Sequence, residues 1–158
     1  MLIGDYMDYT VYERVSDKLQ KEKLSISFCE SCTGGALVST LVKFPGASNV
    51  LSESYVTYSE EAKKKILGVK EETLRKYTVY SSEVAKEMVD GLYNLTKSDI
   101  CVSITGEVGS DDDQEYTAYV VIKYKNINHE YIFKTKGNRC ENINNYVFET
   151  YLNLEKIL

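Results

Sequence analysis

The chain predicts a layered α/β domain built on a mixed sheet. Short apolar or alternating runs suited to strands recur between longer segments with helical spacing, which is the pattern of such domains. Two good alternating runs near the C-terminus are separated only by Asn126-Ile127-Asn128, so at least that pair is an antiparallel hairpin. With 158 residues and no linker, repeat or low-complexity stretch, one domain with an ordinary core is expected.

The elements follow in order. Tyr9 to Lys23 places Val11, Val15 and Leu19 on one face with charges between, an amphipathic helix. Leu24 to Glu30 reads as a short buried strand, and Thr33-Gly34-Gly35 opens a helix over Ala36 to Lys43 that Phe44-Pro45-Gly46 ends. A turn at Pro45-Gly46-Ala47-Ser48 leads to a strand near Ser52 to Tyr58. Ser59 then caps a helix with Glu60 and Glu61 in its first turn, and Gly68 stops it. Lys70 to Tyr77 is another short helix. Ser81 caps a longer one on which Val84, Met88, Leu92 and Leu95 share a face. Asp99 to Thr105 is an apolar-centred strand, Asp111-Asp112-Asp113 a polar loop, Tyr116 to Tyr124 and Glu130 to Lys134 the hairpin, and Arg139 to Ile157 a closing helix.

Composition narrows the function classes. A formal net charge of −5 argues against non-specific nucleic-acid binding. No apolar run is long enough to cross a bilayer, and the N-terminus has neither a basic nor a hydrophobic leader segment, so a cytoplasmic protein without a membrane partner is expected. Cys29-Glu30-Ser31-Cys32 is formally a C-x-x-C, but Cys101, Cys140 and the one histidine, His129, do not supply a second ligand pair at zinc spacing. Cys29 ends an apolar run instead of opening a helix, so buried, inert thiols are expected rather than a redox pair.

Chemistry-bearing residues concentrate between Pro45 and Lys63. Ser48 lies in the turn, Tyr58 at the strand's far end and Lys63 one turn into the next helix. If the fold joins Ser48 to Lys63, they form a nucleophile–base pair of the Ser–Lys kind. Lys63 is favoured over Lys64 because it shares the side of Ile66 and Leu67, where burial would lower its pKa. The plain alternatives are a turn residue for Ser48 and a solvated Lys63-Lys64-Lys65 run. Ser31, Thr33, Gly34 and Gly35 sit where a strand hands over to a helix, a place where backbone N–H groups receive anions. Their alternative roles are capping and close packing. Thr105 and Gly106 at a strand end are a usual ligand position, and Arg139 suits a phosphate or carboxylate.

These segments together resemble the C-terminal domain family of the competence/damage-inducible protein A, whose enzymatic members deamidate nicotinamide mononucleotide (NMN). The matching text is ESCTGG (30–35), FPGAS (44–48), VTYS (56–59), AK and LGV (62–63, 67–69), SSEVAKEM (81–88), SDI (98–100) and SITG (103–106), in the expected order. The larger N-terminal domain that some members carry is not in this sequence, which reads as a stand-alone version.

The resemblance implies a three-layer α/β/α domain with a mixed, mostly parallel sheet of about five strands. It implies hydrolysis of the NMN carboxamide to nicotinate mononucleotide and ammonia, with no metal or cofactor, by a homodimer or larger homo-oligomer acting on a small nucleotide. In that picture Ser48 attacks the amide, Lys63 relays the proton, Tyr58 positions the pair, and Ser31, Thr33, Gly34, Gly35, Thr105, Gly106 and Arg139 form the substrate pocket. Ser31 is the competing nucleophile, ranked second because an anion contact is expected there.

The sequence also departs from the family. The Ile-Ala-Gly-Pro and glycine-rich segment usual after Thr-Gly is Glu107-Val108-Gly109-Ser110-Asp111-Asp112-Asp113-Gln114, the Tyr-Ser-Asn at the strand end is Tyr58-Ser59-Glu60, and a second basic residue after Arg139 is absent. Carboxylates beside a phosphate repel it by about 1–4 kcal/mol per pair near 4 Å. The altered loop keeps open a catalytically weak or inactive nucleotide-binding module with a regulatory role, and the C-x-x-C keeps open a thiol-redox protein using Cys29 and Cys32.

Overall fold

The computed structural model describes residues 4–110 and 113–158. Helix α1 (Gly4–Glu22) precedes strand β1 (Ile26–Glu30), helix α2 (Ala36–Leu41), a single 3-10 turn (Ala47–Asn49) and strand β2 (Leu51–Val56). Helices α3 (Glu60–Leu67), α4 (Glu71–Tyr77) and α5 (Ser82–Thr96) come next. Strands β3 (Ile100–Gly106), β4 (Tyr116–Tyr124) and β5 (Ile127–Thr135) and helix α6 (Arg139–Ile157) complete the chain. The helix starts that the sequence marks are real. Ser59 Oγ accepts from Ala62 N and Ser81 Oγ from Val84 N, while Asn138 and Glu141 form a capping box on α6.

The five strands form one mixed sheet in the order β2-β1-β3-β4-β5. β1 pairs parallel with both β2 and β3, whereas β3–β4 and β4–β5 are antiparallel, so only β4 opposes the other four. Side-chain alternation splits β1 and β3 between two cores. Ile26, Phe28, Ile100, Val102 and Ile104 pack on the layer of α1, α2 and α6 with Leu19, Leu37, Tyr146 and Tyr151. Cys29, Cys101 and Val121 face the layer of α3, α4 and α5 with Leu67, Val84, Met88 and Leu92. On that second face the polar side chains of β1 and β3 are all partnered: Ser27 with Ser98, Ser103 with Ala85 O, and Thr105 with Val79 O.

Two expectations need correction. Leu95, on the last turn of α5, is 49% exposed and leaves the buried face. The hairpin turn is Lys125-Asn126, one residue earlier and tighter than the Asn126-Ile127-Asn128 expected. Both residues have positive φ (51° and 62°), as a type I′ two-residue turn requires, so β5 begins already at Ile127. Of the Asp111-Asp112-Asp113 loop, Asp111 and Asp112 lie outside the described residues.

The chain runs from β1 to β2 on one side, then through α3, α4 and α5 to β3 on the other side of β1. A crevice beyond the carboxyl ends of β1, β2 and β3 is where such a sheet accepts ligands.

Candidate active site

Alternation sends Glu30 and the next residue to opposite layers. Glu30, 1% exposed, turns toward α2, where its carboxylate accepts from Thr33 Oγ1 (2.6 Å), Leu37 N (2.8 Å) and Val38 N (3.1 Å). The positive end of α2 therefore already holds a carboxylate of the protein itself. Ser31 turns the other way. Its backbone N–H donates to Ile104 O at 3.1 Å, and Thr57 N donates to Glu30 O at 2.8 Å, so the ends of β1, β2 and β3 are knitted together around it. Gly34 and Gly35, with φ of 60° and 103°, bend the chain away from Ser31 into α2, a conformation side-chain-bearing residues rarely adopt.

Lys63 arrives from α3 and is completely buried. Its Nζ lies 2.8 Å from Ser31 Oγ, 2.7 Å from Thr57 O and 3.2 Å from Tyr58 O. Burial pulls its pKa down to about 8, with Cys32, Cys29 and Glu60 opposing the shift. Two of the three partners are carbonyls, which only accept. The ammonium donates to all three, and on losing its proton the amine keeps both carbonyl bonds while its lone pair faces the Ser31 hydroxyl.

Ser31 opens on a cleft of about 480 Å³ lined also by Cys32, Tyr58, Glu60, Val79, Tyr80, residues 106–110 and Arg139. Arg139, the first residue of α6, donates to Gly109 O (2.9 Å) and Tyr58 Oη (3.1 Å), closing one side of the cleft. Gly109, at φ 62°, has no room for a Cβ, which would meet the Tyr116 ring.

A family model of the CinA C-terminal domain matches residues 8–158. The chain belongs to this CinA family. It is 45% identical over 121 residues to a CinA-like protein of Petrotoga mobilis, covering 77% of this chain and 30% of that one. Identity to a CinA-like protein of Fusobacterium nucleatum is 41% over 158 residues, covering 98% of this chain and 38% of that one. The chain thus spans about a third of the length of these curated relatives. A CinA superfamily protein of Escherichia coli superposes with TM-score 0.89 at 26% identity, covering 100% of this chain and 94% of that one. A CinA superfamily protein from Klebsiella pneumoniae shares the fold (TM-score 0.88, 23% identity, 94% and 96% covered).

Against this CinA fold the expected site residues separate into two groups. Ser31, Lys63, Tyr58, Gly106 and Arg139 gather at the cleft or its wall. Ser48 does not. It is exposed on the 3-10 turn at the amino end of β2, while Lys63 works beyond the carboxyl end, and the six residues of β2 put about 20 Å between them. The Ser48–Lys63 pairing is therefore corrected to Ser31–Lys63. Pro45 and Gly46 instead pack on α1, where Gln20 donates to Pro45 O at 3.0 Å.

The expected phosphate cradle is corrected as well. Thr33 gives its hydroxyl to Glu30, Gly34 and Gly35 are not among the residues lining the cleft, and Thr105 uses its hydroxyl on Val79 O at 2.9 Å. Thr105 thus holds the Val79-Tyr80 wall. Glu30 as the occupant of the α2 terminus, and Val79, Tyr80 and Glu107 as lining, were not read from the sequence. The buried strand ending in Glu30 just before a Gly-Gly helix start was the available signal for the first.

The thiol-redox reading fails on burial. Cys29 is fully buried with its pKa pushed well above the ordinary thiol, and burial pushes Cys32 up to about 12, so neither supplies a thiolate. Among the described residues there is no group of three or more His, Cys, Asp or Glu placed to hold a metal, and no helix long and apolar enough to cross a membrane.

Proposed function

We propose that this CinA-family domain is an amidohydrolase that cleaves the carboxamide of NMN, giving nicotinate mononucleotide and ammonia, with Ser31 as nucleophile and Lys63 as base. The observation carrying this reading is the buried Lys63 Nζ, 2.8 Å from Ser31 Oγ at the wall of the cleft. The choice of NMN rests on the resemblance of the ESCTGG, VTYS and SITG segments to the NMN-deamidating members.

Lys63 as neutral amine takes the Ser31 hydroxyl proton while Oγ bonds to the amide carbon. The backbone N–H groups of the turn after Ser31 are the candidates for receiving the developing oxyanion. The Lys63 ammonium then returns its proton to the departing nitrogen, so ammonia leaves and an ester on Ser31 remains. Water, deprotonated by Lys63, attacks that ester, and the proton passes back to Ser31 Oγ as the carboxylate product departs. Arg139, held by Gly109 O and Tyr58, offers its remaining donors to the nucleotide's anionic group.

The test is ammonia release from NMN by the purified chain, counted against nicotinate mononucleotide formed. One-to-one appearance of the two products supports the reading. A nucleotide-dependent rise in melting temperature without ammonia favours the binding module and contradicts it.

A further inference from the structure

We infer that Thr57 is a positioning residue for the Ser31–Lys63 pair, its hydroxyl receiving the Lys63 ammonium while Ser31 Oγ is bonded to the substrate. This rests on the amidohydrolase reading of the site and adds a residue which that reading does not use. The strand register puts Thr57 there. Glu30 pairs with both Val56 and Ile104, so one step on, Thr57, Ser31 and Thr105 form a row across the ends of β2, β1 and β3. Thr57 N donates to Glu30 O at 2.8 Å and Ser31 N to Ile104 O at 3.1 Å, which carries both ladders up to this row. Tyr55, two residues back on β2, packs on the core under α3, α4 and α5, so alternation turns Thr57 to the same face as Ser31.

The three hydroxyls of the row are spent differently. Ser31 Oγ meets Lys63 Nζ at 2.8 Å, and Thr105 Oγ1 donates to Val79 O at 2.9 Å. Thr57 is 0% exposed, and its Oγ1 has no hydrogen-bond partner among the described residues. An unpartnered hydroxyl is costly to bury. This one belongs to the residue whose carbonyl already holds the amine, Lys63 Nζ lying 2.7 Å from Thr57 O. In the resting site the amine is fully engaged by Ser31 Oγ, Thr57 O and Tyr58 O. Reaction changes the demand. Ser31 Oγ bonds to the amide carbon, and its proton makes Lys63 an ammonium. Two N–H groups stay on the carbonyls, but the third no longer has a hydroxyl to bond, since Oγ is now part of the adduct. A χ1 rotation lets Thr57 Oγ1 accept that N–H until the proton moves to the nitrogen that leaves as ammonia. Thr57 keeps its own proton throughout.

A bond made only after Ser31 has attacked differs measurably from a structural one. Ammonia release from NMN and urea denaturation are compared for the wild type, Thr57→Val and Thr57→Ser. Valine keeps the shape and removes a hydroxyl without a partner, so its urea midpoint should equal or exceed that of the wild type. Its kcat and kcat/KM should fall together by about ten- to a hundredfold, the loss of a hydrogen bond to a charged group, with KM unchanged. Serine restores the hydroxyl and should recover most of that loss. Wild-type rates in Thr57→Val, a lower urea midpoint, a rise in KM alone, or no recovery in Thr57→Ser would each overturn the inference and leave the hydrolase reading standing. A wild type that releases no ammonia from NMN overturns that reading, and this inference with it.

Discussion

Lys63 Nζ and Ser31 Oγ stand 2.8 Å apart although 32 positions separate the residues in sequence. The contact exists because β1 and β2 are adjacent and parallel, so the residue following β1 and the helix following β2 emerge at the same sheet edge. Thr57 O and Tyr58 O hold the amine from below. Replacing Lys63 by Met removes the base and is expected to lower ammonia release at least about a thousandfold. Lys63→Arg should fare no better, since guanidinium stays protonated at every accessible pH. Steady-state rates of the two variants check this, with circular dichroism to show that each is folded.

The lowered pKa of Lys63, about 8, sets the pH profile. The base is active when neutral, so kcat/KM should climb about tenfold per pH unit below 8 and level off above it. The sign for stability is the same. A buried lysine with a folded-state pKa below its unfolded value near 10.5 binds fewer protons folded than unfolded between those values. Lys63 therefore weakens the fold below about pH 8, and the penalty is relieved as pH rises from 8 to 10.5. Lys63→Met should flatten that part of the stability curve, read from urea midpoints across pH.

Glu30 is the structural keystone next to the nucleophile. Its carboxylate, 1% exposed with its residue, receives one hydroxyl and two backbone N–H groups at the start of α2. Glu30→Ala strands those donors and is expected to cost about 2–4 kcal/mol of unfolding free energy. Glu30→Gln keeps one acceptor and should cost about half as much. Urea denaturation measures both.

Arg139 joins Tyr58 to the loop after β3 through bonds of 3.1 and 2.9 Å. Arg139→Lys retains charge but lacks the planar fork that reaches both partners. Its KM for NMN should rise about tenfold, from the loss of one strong charge-assisted contact. Tyr58→Phe should raise KM less, because only one bond to Arg139 disappears.

Thiol chemistry offers a check on burial. Cys140 is exposed on α6, whereas Cys29, Cys32 and Cys101 are buried with raised pKa values. One thiol per chain should react rapidly with a disulfide reagent in the native state and four after unfolding. Rapid labelling of Cys32 in the folded protein would show that the floor of the cleft is wetter than this packing allows.

Much of the fold was legible because the local signals agreed. Ser59, Ser81 and Gly68 bound their helices where expected, and the alternation in Tyr116 to Tyr124 marks a strand with the same limits in the structure. Lys63 was legible through its place beside Ile66 and Leu67. Its partner Ser31 was legible only as the second-ranked nucleophile, because an anion contact is expected at that helix start, whereas the sheet order that brings Ser31 near Lys63 is a property of non-local strand pairing. The phosphate cradle was misread for a related reason. A glycine turn before a helix announces an anion, but not whether the anion comes from a ligand or from the preceding strand, as Glu30 does.

The most direct measurement compares ammonia release from NMN at pH 8 by the wild type, Ser31→Ala and Ser48→Ala. The account predicts a loss of at least about a thousandfold for Ser31→Ala and a far smaller change for Ser48→Ala. Retained activity in Ser31→Ala, or loss confined to Ser48→Ala, would contradict it.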